Sequence, residues 1–486
     1  MRLIRTTIIL FLMSLPLFSF AATKTHRPPI TLEENLHHIL SKANDVKPNV
    51  NYGVVIRDAQ TGKILYSRQP YHLYAPASVQ KLFTAIAALS YLGSDFHFST
   101  KLLTQSQIKD HTLQGDLTVK FSGDPEFKTA DLNKLFAKLK DLGINRIHGH
   151  VYIDSTDYGP VPYAPGWMWD DLSYSYAAPL SAIIINRNKF LLQFIPAKKR
   201  QVRPKIYPIL PSGIVTIDNN VTTTSKFIKK CPLTIYSDVH NHYRLAGCLN
   251  RDWGQQRRTL AIRDPDVYGK VLVEQALQDN NIGYTGRVTF HKAPAEAVVL
   301  AEHQSPPLRK MLKEMLKHSD NLTADSLLKK IGQVYYKEQG TWQNGLNALK
   351  KILKPTGIDF KHSLLNDGAG LSRYNLVTPQ QLTKLLYYAY HNPNIKSALI
   401  PALPIGGIDG TLIGRMNPIS DGRHVHAKTG SMTGVTTLSG YIYTHHHGVL
   451  IFAVMMNGFV GKDRPLLHVE DRMCDFLTHY KDKHHG

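Results

Sequence analysis

The sequence predicts an α+β fold in which a long, mostly β region interrupts a domain of helices and strands. Segments with the periodicity of amphipathic helices occur near the start of the chain and again after Leu308, together with strand-like segments at 52–66 and 434–456. Between them, short strand-like segments alternate with Gly, Pro and Asn turns. We therefore expect one domain formed by residues 22–95 and 293–486, and an insertion at 96–292.

The first residues have the composition of a secretory signal peptide. Met1 to Arg5 carries two arginines and no acid, and Ile8 to Phe20 is apolar. We expect residues 1–21 to be removed by cleavage after Ala21, leaving an exported, periplasmic protein. This apolar stretch is short for a membrane span and no run of 18 apolar residues occurs elsewhere, so no transmembrane segment is expected in the mature chain. An uncleaved anchor is the alternative.

The chain is strongly basic. Its formal charge is +21, and loss of Arg2 and Arg5 with the signal peptide leaves +19 (21 − 2). An exported protein with this charge meets anionic polymers and acidic headgroups, so we expect loose association with the cell wall or the membrane surface. The signal peptide argues against nucleic acid as a partner. A basic surface that only aids solubility is the alternative.

The chain has three cysteines. Cys231 and Cys248 lie 17 residues apart in a polar, irregular region and would form one disulfide in an oxidising compartment. Cys474, in an amphipathic C-terminal segment, is expected to be a buried free thiol. Because no Cys-x-x-Cys spacing occurs, metal binding is the weaker alternative, and no metal or other cofactor is predicted.

A candidate nucleophile stands at the start of a predicted helix. The stretch Ala75-Pro76-Ala77-Ser78-Val79-Gln80-Lys81 precedes an apolar run, and Ser78 is a suitable residue to open a helix. Residues three apart share a helix face, so the Lys81 amine would point at the Ser78 hydroxyl, as a base beside a nucleophile. The spacing is not specific by itself, since it recurs at Ser106 and at Ser326.

Two rarer motifs occur further along. Ser319-Asp320-Asn321 is the one Ser-x-Asn of the sequence, although an isolated tripeptide of this type is more often a helix cap. Lys428-Thr429-Gly430 is the one Lys-(Ser/Thr)-Gly, and it stands just before a predicted hairpin. Glycine in such a strand lets another backbone approach closely.

Ser-x-x-Lys, Ser-x-Asn and Lys-Thr-Gly in this order resemble the motifs of penicillin-binding proteins and serine β-lactamases. Ser78 and Ser319 are 241 positions apart, which indicates a large insertion. Segments 165–171, 178–179, 186–188 and 367–373 and the two cysteines at 231 and 248 are similar to the penicillin-binding protein 4 type, exported class C D-alanyl-D-alanine carboxypeptidases/endopeptidases. The resemblance runs from about residue 45 to the C-terminus and implies a β-lactamase/transpeptidase-like catalytic domain, an antiparallel sheet flanked by helices.

The resemblance implies acyl transfer at a peptide bond that precedes a D-residue. Ser78 would be acylated, Lys81 would be the base and Ser319 would relay a proton to the leaving amine. To act as a base near pH 7, Lys81 needs a pKa about three units below its free value, and burial and a neighbouring cation such as Lys428 push in that direction. Stem peptides of peptidoglycan and covalently bound β-lactams are the implied ligands, and a homodimer stays open.

Further residues are implied to bind the substrate. Asn321 offers an amide to its backbone, Lys428 and Thr429 suit a carboxylate, and the N–H groups of Ser78 and Ser431, beside Gly430, would form the oxyanion hole. Asp171, with Asp170 as the alternative, and Arg373 would hold the diamino acid side chain, with Tyr176 as a nearby aromatic. A surface or interdomain ion pair is the alternative for Arg373. Thr433 departs from some relatives, which carry a glutamine there, and so puts fine substrate preference in doubt.

The aromatic cluster at 167–176 is expected to pack, although acids beside exposed aromatics can also hold a ligand. Two other functions compete. A β-lactamase of the class A type needs a Glu to activate the deacylating water, and no Glu-x-x-Leu-Asn pattern lies between Ser78 and Ser319. A catalytically silent cell-wall binding protein would retain the fold without turnover, which the complete set of motif residues disfavours.

Overall fold

The computed structural model describes residues 31–481, apart from residues 227, 229 and 417–421. The predicted signal peptide lies outside these residues. Within the described ranges, no helix is both long and apolar enough to cross a membrane. Helices and sheets are both present in layers, and the predicted α+β class is confirmed.

One antiparallel sheet forms the centre of the part of the chain that lies outside the insertion. Its strand order is β18-β19-β20-β1-β2, so the two chain segments that flank the insertion meet where β20 pairs with β1. The strands are β1 Asn51–Asp58, β2 Ile64–Arg68, β18 Val425–Met432, β19 Val435–Tyr443 and β20 Val449–Asn457. β19 and β20 are buried along almost their whole length because helices cover both faces.

Alternate residues of β20 enter two different cores. Ile451, Ala453 and Met455 pack with the larger helical layer, whereas Phe452 and Val454 pack with α1 and α10 on the opposite face. The smaller layer is α1 Leu32–Val46 and α10 Arg464–Thr478; the larger is α2 Lys81–Tyr91, α5 Leu308–His318, α6 Asn321–Tyr336, α7 Trp342–Ile352, α8 Pro379–His391 and α9 Pro393–Leu399. A pleated strand points successive side chains to opposite faces, which explains the division.

The inserted region contains several small sheets around a core of its own. Its strands are β3 Ser99–Thr104, β4 Ile108–Lys109, β5 Thr112–Leu113, β6 Leu117–Lys120, β7 Arg146–Ile147, β8 Val151–Asp154, β9 Lys189–Ile195, β10 Lys205–Ile209, β11 Thr216–Thr224, β12 Thr234–Ser237, β13 His242–Asn250, β14 Gln256–Ala261, β15 Gly283–Tyr284, β16 Val288–Phe290 and β17 Val298–Gln304. The last strand, β17, pairs with β3, so sheet pairing continues beyond the expected boundary at residue 292.

The insertion also contains two helices that the sequence analysis did not predict. α3 Thr129–Asp141 buries Leu132, Leu135, Phe136 and Leu139, which is the i, i+3, i+4, i+7 pattern of an amphipathic helix. α4 Pro265–Asp279 begins with a proline in its first turn and is capped by an aspartate side chain. Turn-forming Gly, Pro and Asn residues surround both helices and conceal their periodicity in the sequence.

Candidate active site

Ser78 lies in a 3₁₀ turn, Ala77–Gln80, and α2 begins only at Lys81. The expectation that Ser78 opens an α-helix is therefore corrected: it is the second residue of a tighter turn. In such a turn the side chains of residues three apart eclipse one another. Ala77 has a φ of +47°, a left-handed conformation that is unusual for a residue with a side chain. The backbone therefore places the Ser78 hydroxyl next to the side chain of Lys81.

The amine of Lys81 is enclosed by three oxygen atoms. Lys81 Nζ lies 2.9 Å from Ser78 Oγ, 2.6 Å from Asn321 Oδ1 and 2.7 Å from the Ala369 carbonyl oxygen. The side chain is fully buried, and this burial lowers its pKa to about 8, against nearby carboxylates that raise it. About a tenth of the amine is therefore neutral at pH 7.

A second lysine is buried in the same region. Lys428, on β18, is fully enclosed, and its Nζ donates to the Thr429 carbonyl at 2.8 Å. Burial lowers its pKa well below the usual value, and the charge of Lys81 lowers it further. The lowered pKa of Lys81 comes from its own burial, so the expected contribution of a neighbouring cation at Lys428 is not what lowers it.

Ser319 and Asn321 stand at the junction of two helices. Ser319 ends α5 in a left-handed conformation, with φ 58° and ψ 38°. Asp320 caps α6 by accepting a hydrogen bond from Thr323 N at 2.8 Å, and Asn321 is the first residue of that helix. The Asn321 amide donates to the Tyr176 carbonyl at 2.8 Å, so the insertion contacts the motif directly.

Gly430 allows β18 to approach the serine turn. A Cβ atom at this position would lie 2.7 Å from the Pro76 carbonyl oxygen and 2.9 Å from Ser78 N, closer than real Cβ atoms come. Thr437 reinforces the contact, since its hydroxyl donates to the same Pro76 carbonyl at 2.8 Å. Glycine is thus required for the backbone of β18 to lie against that of Ser78.

A cavity of about 380 Å³ opens above Ser78. Its lining residues are Ser78, Asp171, Tyr176, Ser319, Asn321, Gly370, Leu371, Arg373, Ser431, Met432 and Thr433. Seven of the predicted site residues therefore surround one space. Lys81 and Lys428 are buried, and Thr429 and Gly430 lie on β18 outside the lining, with the Thr429 hydroxyl bonded to that of Thr411 at 2.7 Å.

Groups of both charges lie at the rim of this cavity. Tyr176 donates its hydroxyl to Asp171 Oδ1 at 2.6 Å, and burial together with Asp171 raises the pKa of this tyrosine, which keeps the proton in place. Arg373 donates to the Thr433 carbonyl at 3.0 Å. Since Thr433 uses a backbone atom for this contact, its side chain is not needed to position the arginine.

Two buried aspartates support Lys81 and were missed by the sequence analysis. Asp325 accepts hydrogen bonds from Gly368 N at 2.7 Å and Ala369 N at 3.0 Å, and Asp367 accepts one from Gly370 N at 2.8 Å. These bonds fix the loop whose Ala369 carbonyl meets Lys81. In the sequence, the segment after Asp367 stood out only for its resemblance to the family. An acid followed by small residues is, however, a signal for a loop whose backbone N–H groups bind a carboxylate.

The insertion supplies an ion pair to the Ser-x-Asn motif. Arg187 Nη1 lies 2.7 Å from Asp320 Oδ2, and its other terminal nitrogen is paired with Glu126. Burial raises the pKa of Asp320, but Arg187 and hydrogen bonds from Thr323 outweigh this and lower it, so the carboxylate stays charged. The turn at 186–188 is left-handed throughout, which directs the arginine to the motif.

The predicted cysteine pair is distant from these residues. Cys231 and Cys248 form a disulfide that links the segment before β12 to β13, and Cys474 is a buried free thiol in α10. Among the residues the structure describes, no three His, Cys, Asp or Glu side chains are grouped as a metal site would require.

Comparison with known proteins identifies relatives along almost the whole chain. The model of the family described as "D-Ala-D-Ala carboxypeptidase 3 (S13) family" matches residues 32–480. The D-alanyl-D-alanine carboxypeptidase DacB of Haemophilus influenzae is 33% identical over 90% of this chain and 92% of its own. A D-alanyl-D-alanine carboxypeptidase of Actinomadura is 32% identical over 88% of this chain and 81% of its own.

The structural comparison agrees. The crystal structure of penicillin binding protein 4 (dacB) from Haemophilus influenzae superposes with a TM-score of 0.84 at 32% identity, covering 91% of this chain and 99% of that one. The same protein has also been solved in complex with a β-lactam, with a TM-score of 0.80 and the same coverage. The resemblance to the penicillin-binding protein 4 type is confirmed, and the chain belongs to the D-Ala-D-Ala carboxypeptidase 3 (S13) family.

Proposed function

We propose that this protein is an exported serine D-alanyl-D-alanine carboxypeptidase that also cuts peptide cross-links of peptidoglycan, through an acyl-enzyme on Ser78. One observation carries the proposal: a cavity-lining hydroxyl lies 2.9 Å from a fully buried lysine amine whose pKa is lowered to about 8. A nucleophile hydrogen-bonded to a base of lowered pKa is the arrangement that covalent catalysis requires.

In the acylation step, Ser78 Oγ attacks the carbonyl carbon of the penultimate D-Ala while Lys81 Nζ takes the hydroxyl proton. The negative charge that develops on the carbonyl oxygen is stabilised by the backbone N–H groups of Ser78 and Ser431, and one such donor contributes about 3 kcal/mol to the transition state. The closeness of β18 to the serine turn at Gly430 supports this assignment.

Collapse of the tetrahedral intermediate breaks the C–N bond. The leaving amine takes the proton that Lys81 received, and Ser319, which lines the same cavity, relays it. Water then attacks the ester with Lys81 again as base, which releases the shortened peptide and restores the Ser78 hydroxyl. Lys428 and Thr429 would act on the carboxylate of the leaving D-residue, with Asn321 on the substrate backbone.

The rim groups suit a stem peptide that carries a diamino acid. Asp171 attracts a free amine and Arg373 a carboxylate, and both line the cavity. A cross-linked substrate has the same D-Ala carbonyl but a larger amine as leaving group. Release of monomers from a purified cross-linked muropeptide dimer would test the endopeptidase activity separately from release of D-Ala.

Covalent binding of β-lactams follows from the same chemistry, because a lactam carbonyl can acylate Ser78 as a peptide carbonyl does. The β-lactam complex of the Haemophilus influenzae relative supports this proposal. The test is intact mass after brief incubation with benzylpenicillin, for wild type and Ser78→Ala side by side. A persistent single adduct on the wild type alone is the expected result.

The other outcomes separate the competing functions. Loss of the penicillin without an adduct would identify a β-lactamase, and an unmodified protein with intact penicillin would identify a silent binding protein. Export can be tested independently, by N-terminal sequencing of the mature protein for a start at Ala22. Loose attachment to the wall would be reversed by salt, since it rests on the basic charge.

A further inference from the structure

Two exposed aromatic rings lie beside the candidate active site. Trp169 is 69% exposed and Tyr236 is 43% exposed, yet their rings stack with centroids 5.7 Å apart and planes inclined by 17°. Trp167 packs as expected, and its indole N–H donates to Asp367 Oδ2 at 2.9 Å. For Trp169 the expectation of packing is wrong, because its ring faces solvent next to Tyr236. We call these two rings the aromatic platform.

The platform is continuous with the cavity above Ser78. Trp169 begins the 3₁₀ turn Trp169–Asp171, and the last residue of that turn lines the cavity. A 3₁₀ turn rises about 2 Å per residue, so the two ends of this turn are close neighbours. Tyr236 is held to the same segment, because Ser237 Oγ donates to Ser173 Oγ at 2.9 Å.

Charged side chains flank the two rings. Asp170, between Trp169 and Asp171, is exposed, and Tyr236 pairs across the sheet with Arg244, which is also exposed. Directly paired residues of neighbouring strands present their side chains on one face. An exposed aromatic patch with a polar rim is typical of a binding surface. A pyranose ring has a flat C–H face, which can stack on an aromatic ring, and hydroxyl groups at its edge, which can bond to the charged side chains. Saccharides therefore match this arrangement.

We propose that the aromatic platform binds the saccharide chain to which the stem peptide is attached. This inference rests on the proposed function, which makes a wall polymer the substrate. A cavity of about 380 Å³ is at the small end of ligand sites, so it holds the reacting end of a stem peptide while the rest continues over the surface. The platform is an exposed aromatic surface that continues from the turn ending at Asp171, beyond Tyr176.

The test compares one pentapeptide in two forms, free and attached to its N-acetylglucosaminyl-N-acetylmuramyl disaccharide. Trp169→Ala and Tyr236→Ala should each lower kcat/KM for the disaccharide form about tenfold and leave that for the free peptide within twofold. Trp253→Ala is the matched control, because Trp253 is 58% exposed and ends the 3₁₀ turn Arg251–Trp253 elsewhere in the insertion. It should change neither substrate.

Equal losses on both substrates would overturn the proposal, since the rings would then serve the peptide or the fold. Unchanged rates on both substrates would overturn it as well, and so would the same loss in the control.

If the wild type cleaves neither form, the proposed function fails, and a measurement of glycan binding then tests the platform independently of catalysis. Ser78→Ala protein should co-sediment with peptide-free glycan chains, and addition of Trp169→Ala should abolish this. If Trp169→Ala instead lowers binding to phosphatidylglycerol vesicles and leaves glycan binding unchanged, the aromatic platform contacts a membrane and the saccharide proposal is wrong.

Discussion

The chain contains two Ser-x-x-Lys pairs whose lysines are equally buried, one at Ser78 and one at Ser326. Lys81 and Lys329 are both fully enclosed, and burial lowers the pKa of each to about 8. Ser326, however, lies inside α6 with its hydroxyl bonded to the Gly123 carbonyl and 2.8 Å from the Tyr158 hydroxyl. Lys329 donates to the Val161 carbonyl at 2.9 Å and lies 4.7 Å from the Trp342 ring centroid.

The difference between the two pairs is local geometry and access. Ser78 is in a 3₁₀ turn, which sets it over Lys81, and it lines a cavity. Ser326 is in a regular α-helix, where residues three apart are offset around the axis, and it is completely buried. A lysine of lowered pKa is therefore not sufficient evidence of catalysis. An accessible hydroxyl hydrogen-bonded to that lysine is the distinguishing feature.

The largest effect is expected from the two serines. Ser78→Ala should lower the rate of D-Ala release from a stem pentapeptide by about 10⁴-fold or more, because no acyl-enzyme can form. Ser326→Ala should stay within about threefold of the wild type and cost about 2 kcal/mol of unfolding free energy, through two lost buried hydrogen bonds, those with Gly123 and Tyr158. Comparable kinetic losses in the two folded variants would refute the comparison.

The two lysines should differ in the same way. Lys81→Met should reduce kcat by about 10³-fold, the order expected for loss of a general base, whereas Lys329→Met should stay within about threefold. In the wild type, kcat/KM should rise with pH, reach half of its plateau near pH 8 and level off above that pH, since the neutral form of Lys81 is the base. Lys329→Met should keep that profile. A rate that falls as pH rises through 8 would mean that Lys81 acts in its charged form.

The lysines should contribute alike to stability. Each has a folded-state pKa of about 8 and an unfolded value near 10.5, so between these pH values the unfolded chain binds more protons. The unfolding free energy therefore rises with pH in this window, by up to about 3 kcal/mol per lysine, and that contribution is lost as pH falls to 8. Denaturant melts from pH 7.5 to 10 should show a shallower rise for Lys329→Met. An unchanged slope would contradict the lowered pKa.

The smallest effect concerns the ion pair that only the first site receives from the insertion. Arg187→Met should lower kcat about tenfold, because Asp320 then keeps a buried charge without its partner and Ser319 and Asn321 shift. Combination with Asp320→Asn should add little further loss, which gives a coupling energy of at least about 1 kcal/mol in a double-mutant cycle. Additive losses would show that Arg187 does not act through Asp320.

Much of this protein could be predicted from residues close together in the chain. The α+β class, the helical and strand segments of the catalytic part and the cysteine pair followed from periodicity and composition, and three motifs in order indicated the family. Local signals failed where neighbouring turn residues masked them, as at α3 and α4, and where the turn type mattered, as at Ser78.

Contacts across long stretches of chain established the rest. Lys81 meets Asn321 across 240 positions and Ala369 across 288, and burial among residues this far apart in sequence lowers the pKa of its amine. The roles of Asp325 and Asp367, the contact of Arg187 with Asp320 and the exposure of Trp169 likewise depend on packing. Residue type and spacing define which groups can react, but burial, partners and access are properties of the folded chain, because residues far apart in sequence supply them.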